Sequence, residues 1–141
     1  MKLDQATLQY WFAEFNRLIF NNQLENSVIL VKDYGDFDET EAEFIQCTDP
    51  FVIKFHNGKS MIEEDEPGKV YYLSILLHEM IHQYCYETGI VDIDEIGEHS
   101  EEFKNAAYEH EMIQDGYKLS EKIETTIKNR MKAFDAVASI R

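Results

Sequence analysis

Residues 70–88 read VYYLSILLHEMIHQYCYET, and within them stand His78-Glu79-Met80-Ile81-His82. The spacing predicts a helix from about Val70 to about Thr88, closed by Gly89 in a left-handed C-terminal position with Ile90 as the hydrophobic residue after it. Residues four apart on a helix share a face, about 6 Å apart along the axis. Two imidazoles so placed can hold one Zn²⁺, and the Glu beside the first can act as general base toward water at the metal. The same Glu interrupts an apolar run of Leu73, Ile75, Leu76, Leu77, Met80 and Ile81. A carboxylate is costly to bury there without a partner, which a metal site supplies. His78 and His82 are therefore read as ligands of one catalytic zinc ion and Glu79 as its general base.

A catalytic zinc takes three protein ligands and keeps one open position. The extended pattern with Gly and then His downstream fails, because Cys85 and Thr88 occupy those places. Glu101 and Glu102 lie nineteen and twenty residues past His82, and His99 lies seventeen past it. Imidazole is the commoner companion of two other imidazoles and keeps the site net positive; a glutamate ligand stays open on spacing alone.

Around this helix the chain has 141 residues, enough for one compact domain, with 44% apolar residues and 9 Phe, 8 Tyr and 1 Trp for a core. The net charge of −15 disfavours nucleic acid and acidic membrane surfaces as partners of the body. Residues 1–116 carry a net −18 and residues 117–141 a net +3, so the two are read as a body and a helical extension packed on it. Two cysteines make no disulfide framework, the opening MKLDQATLQY lacks a signal-peptide core, and no run reaches the length of a membrane span. These point to an intracellular, cytoplasmic protein.

The fold expected is α+β. An N-terminal helix carries Leu8, Trp11, Phe12, Phe15, Leu18 and Ile19 on one face, with Asp4 as N-cap and Asn21-Asn22 as stop; Asn16, beside the stripe, is read as solvated. A small, mostly antiparallel three-stranded sheet follows, from strands at 27–32, 42–47 and 51–55, with an acidic connection over 33–40. Residues 56–68 read as loop, Ser100 caps a second helix that Gly116 ends, and 120–139 form a third amphipathic helix through Ile123, Ile127, Phe134, Val137 and Ile140.

The motif and its setting resemble the SprT-like (Spartan-like) zinc metallopeptidases. The resemblance rests on His78-Glu79-Met80-Ile81-His82, on Gly97-Glu98-His99-Ser100-Glu101-Glu102-Phe103, and on Phe15-Asn16, Ile19-Phe20 and Leu24. It covers about residues 8 to 115, with a peptidase domain at 1–116 and an extension at 117–141. It implies a zincin-type active-site helix, His99 as the third zinc ligand at the start of the next helix, and a protein or peptide substrate cleaved with Glu79 as base. Ser100 replaces the Gly that usually follows the third His, and Glu98 is inserted before it. The Cys-rich zinc ribbon of some relatives is not seen, and their DNA-linked role is not carried over to this acidic body.

Tyr117, Tyr108 and His110 are candidates for a second oxyanion donor, with none selected. Otherwise His110 and His56 are read as surface or core residues and Cys85 as a buried small apolar one. The acids Asp92, Asp94, Glu95, Glu98, Glu101 and Glu102 read as a solvated loop and helix start. The alternative function is a zinc-binding adaptor domain with little hydrolysis.

Overall fold

The computed structural model describes residues 2–32 and 41–140. The acidic connection over 33–40 and the side chain of Ile140 lie outside the described residues. Helix α1 (Gln5–Ile19) starts where Asp4 accepts the Thr7 N–H at 2.9 Å and buries Leu8, Trp11, Phe12 and Phe15. Leu18, expected on the same face, is 40% exposed, so the buried stripe is narrower than its periodicity suggests. The chain leaves the helix through Asn21 and Asn22, both at positive φ, which Asn tolerates better than most residues.

Strands β1 (Val28–Val31), β2 (Ala42–Ile45) and β3 (Val52–Phe55) form a sheet in the order β1-β3-β2. β2 and β3 pair antiparallel as a hairpin, with Phe44 opposite Ile53, while β1 pairs parallel to β3, with Ile29 opposite Ile53. The sheet is therefore mixed, not mostly antiparallel. Central strand β3 buries Ile53 and Phe55 fully, and edge strand β1 buries Ile29 fully.

The two edges of the sheet are treated differently. On β1, α1 supplies the missing partners: Gln9 donates to the Ser27 carbonyl at 2.8 Å and accepts from Ile29 N–H at 2.9 Å, and Gln5 accepts from Val31 N–H at 3.1 Å. This covers an edge that would otherwise invite pairing. β2 has no such strand or helix ladder among the described residues, and its outer edge faces the functional site.

The loop expected over 56–68 contains a short helix, α2 (Gly58–Ile62), which seats the fully buried Met61 in the core. Central helix α3 (Glu66–Thr88) begins earlier than its apolar period, because Asp65 caps it by accepting from Gly68 N–H at 3.0 Å and Pro67 suits its first turn. It ends as expected: Gly89 has φ 76°, and Ile90 N–H reaches the Cys85 carbonyl at 2.8 Å. α3 packs against α1, β2 and helix α4 (Glu101–Glu109).

Helix α4 stops at Glu109 and not at Gly116. Glu111 turns to φ 69°, and the chain makes a small hairpin of β4 (Met112–Ile113) and β5 (Lys118–Leu119), joined by a 3-10 turn at Gln114–Gly116. Helix α5 (Glu121–Ile140) then returns across the body and buries Ile123, Ile127 and Met131, leaving Phe134 and Val137 40% and 51% exposed. Arg130 fixes it to α1, bonding Glu14 at 2.5 Å and the Tyr10 hydroxyl at 3.1 Å. Among the described residues no helix is long and apolar enough to cross a membrane.

Asn16 is not solvated. Its amide donates to the Leu24 carbonyl at 3.0 Å and accepts from the Leu24 N–H at 3.1 Å, closing the α1–β1 loop and seating Leu24 in the core. Asn16→Ala leaves two main-chain groups of a buried residue unpaired. The expected loss of stability is about 1–3 kcal/mol, read as a lower urea midpoint with unchanged slope.

Candidate metal centre

His78 and His82 stand one turn apart on α3, with ring centroids 5.0 Å apart. His99 arrives from the α3–α4 loop, which is held by its own bonds. Ser100 accepts from Phe103 N–H at 3.0 Å as the cap of α4 and donates to the Val91 carbonyl at 2.7 Å, so that its neighbour His99 faces α3. Asp94 accepts from Ile96 and Glu98 N–H and folds the loop back, with His99 bridged to Ile93. The rings of His82 and His99 stack on fully buried Phe103 at 4.4 Å each, and His78 meets it at 5.2 Å. Phe103 is thus the floor of the cluster.

One ligand atom from each histidine lies within 4.8 Å of the others, close enough for all three to bind one metal ion; among the described residues this is the one such group of His, Cys, Asp or Glu. Each ring has its Nδ1 engaged. His78 Nδ1 meets the Gly116 carbonyl at 2.7 Å, His82 Nδ1 meets the Asp92 carboxylate at 2.7 Å, and His99 Nδ1 meets the Tyr117 hydroxyl at 3.0 Å. A carbonyl and a carboxylate only accept, so Nδ1 of His78 and His82 carries the proton and Nε2 is left with a free lone pair. Burial holds the imidazolium of His78 down to about 4, and lowers those of His82 and His99, so all three are neutral at neutral pH.

Glu79 points from the same helix and is 8% exposed. Burial pushes its carboxyl up to about 8, against a hydrogen bond from the Phe44 main chain, which lowers it, and with the nearby Glu43 charge adding to the rise. The Phe44 contact places β2's outer edge against the site. Two openings meet at His78 and Glu79. One, of about 240 Å³, is bounded by Ala42, Tyr71, Ile75 and Tyr117; the other, of about 350 Å³, runs along Ala42, Phe44 and Gln46 to His82 and His99.

These values give the metal-free protein a distinct pH response. Glu79 binds its proton more tightly folded (about 8) than unfolded (4.5), so its contribution is fully present below about 4.5 and is lost as pH rises through 8. For chelator-treated protein, Glu79→Gln is expected to be more stable than wild type at pH 9, by about 4–5 kcal/mol, with less than about 1 kcal/mol of difference at pH 5. Urea unfolding at the two pH values checks this.

Of the other residues weighed from sequence, Glu101 pairs with Lys104 at 3.4 Å and Glu102 is exposed, both outside the histidine cluster. His110 is packed elsewhere, between Phe20 and Tyr84 at 4.7 and 4.3 Å, with its Nδ1 on the Ala106 carbonyl. His56 is buried near Glu43, at 3.4 Å, and Cys85 is fully buried. Of Tyr117, Tyr108 and His110, Tyr117 is the one bonded to the cluster. Sequence reasoning missed Asp92 and the Gly116 carbonyl as the acceptors that orient His82 and His78. Asp92 stood in an acidic loop with no mark of its role, and Gly116 read as a helix stop.

A scan against protein-family models found none that matches the chain, and a search of curated proteins found no match.

Proposed function

We propose that the chain is a zinc-dependent peptidase of the SprT-like kind, with His78, His82 and His99 as ligands and Glu79 as general base. The observation that carries the reading is a buried carboxylate beside three converging neutral imidazoles at the wall of an open cleft. The donor set suits zinc: three nitrogens, each on a ring oriented by a second bond, with room on the cleft side for a fourth position. Zinc bound there supplies the Lewis acidity that activates water near neutral pH and polarises a peptide carbonyl.

The protein's own groups do the rest. Asp92 and the Gly116 carbonyl keep the rings of His82 and His78 in the ligating tautomer. Glu79, in its ionised form beside the metal position, takes a proton from the attacking water and passes it to the leaving amine. Water and one peptide bond thereby become a carboxylate and an amine. Among the described residues no strand pairs with the outer edge of β2, whose Phe44 main chain meets Glu79, so an extended peptide added there as a strand would pass beside Glu79. Glu41 lines the first opening and Glu43 and Asp92 the second, so the cleft suits a neutral or cationic protein segment and opposes a polyanion. Free Cys47, exposed, and free Cys85 fit a reducing cytoplasmic compartment.

Chelation is expected to abolish cleavage of an unstructured, dye-labelled casein, and one equivalent of zinc to restore it. A zinc-replete protein that cleaves no unstructured substrate would leave the adaptor reading in its place.

A further inference from the structure

We infer that Tyr117 binds the substrate: its hydroxyl accepts the Nδ1–H of His99 and donates its own hydrogen to a main-chain carbonyl of a peptide in the cleft. This rests on the zinc-site reading above. When His99 offers Nε2 to a metal, its Nδ1 carries the ring proton, and the bond at 3.0 Å then runs from His99 to the phenolic oxygen. The phenolic hydrogen is left unspent, and among the described residues the hydroxyl has no other partner.

That hydrogen is held at the right place. The Tyr117 ring stacks on His78 at 5.2 Å and 27°, and it lines the same opening as Glu79 while staying 63% exposed. The turn before it is closely packed. Gly116 has φ 95°, and a side chain there would press Phe103 at 3.1 Å and Ala107 at 3.3 Å, so glycine is required where the chain passes under the cluster. The strand pairs Met112–Leu119 and Ile113–Lys118 close the hairpin around that turn. Tyr117 is therefore fixed on its ring face and its oxygen, with one donor facing the cleft. The hydroxyl lies on the far side of the imidazole from Nε2. A carbonyl next to the scissile one, not the reacting carbonyl itself, is its partner.

Tyr117→Phe keeps the ring and removes the hydroxyl. The test uses the zinc-loaded protein and two probes, acetohydroxamate, which engages the metal alone, and a dipeptidyl hydroxamate, which adds neighbouring main-chain carbonyls. Calorimetric titration is expected to show the dipeptidyl probe weakened about 3–10-fold and acetohydroxamate within about twofold of wild type. Equal weakening of both would mean that Tyr117 acts only through His99, and no change in either would mean that it does not act; each overturns the inference. Zinc content and circular dichroism of the variant confirm that the same folded, loaded site is compared. Because the readout is binding, a wild-type protein that cleaves nothing would defeat the peptidase reading and leave this comparison intact.

Discussion

Glu79→Gln is expected to lower peptide hydrolysis by about 10²–10⁴-fold while zinc remains at one per chain. Glutamine matches glutamate in shape, so the packing around this 8% exposed side chain is kept. It cannot take a proton from water, so the step assigned to Glu79 fails. The three imidazoles are untouched, and their orienting bonds run to Gly116, Asp92 and Tyr117, not to Glu79. Metal content by mass spectrometry and turnover of labelled casein, measured on one preparation, separate the two roles. A variant that keeps activity within about threefold of wild type would remove Glu79 from the chemistry. Loss of zinc together with activity would make it a ligand instead.

The second large effect is on metal affinity. His99→Ala removes one of three nitrogens, and zinc affinity is expected to fall by more than ~100-fold, beyond the 10–100-fold typical of an outer partner. Asp92→Asn belongs to that outer class: it weakens the acceptor that orients His82 and is expected to lose ~10–100-fold. Glu102→Ala is expected to change nothing, because Glu102 is exposed and outside the cluster. Chelator competition ranks the three. If Glu102→Ala lost zinc and His99→Ala kept it, the third ligand would be a carboxylate.

What could be read from the sequence follows the range of the interactions. The His78–His82 spacing, the Gly89 stop and the Asp4 and Ser100 caps are set within one or two helical turns, and all were legible. His99 came from resemblance, because nothing within a few residues of it marks a ligand. Its place depends on Ser100 bonding back to Val91 and on Phe103 filling the floor. The sheet was misread for a similar reason. β1 and β3 pair across some twenty residues that include the whole β2 hairpin arm, and alternation within a strand does not say which neighbour it takes. Asn16 looked like an ordinary polar residue because its partner, Leu24, offers only main-chain groups. The turn at Gly116 was hidden in the same way. The residue was visible as a break, but its carbonyl's service to His78, thirty-eight positions earlier, was not.

X-ray absorption at the zinc edge of the zinc-loaded protein tests the central claim most directly, since the proposed site has three imidazoles and one position left for water. The predicted spectrum is four light scatterers at about 2.0–2.1 Å, with multiple scattering from three imidazole rings and no sulfur shell at about 2.3 Å. A shell of four protein ligands, or one with fewer than three imidazoles, would contradict it.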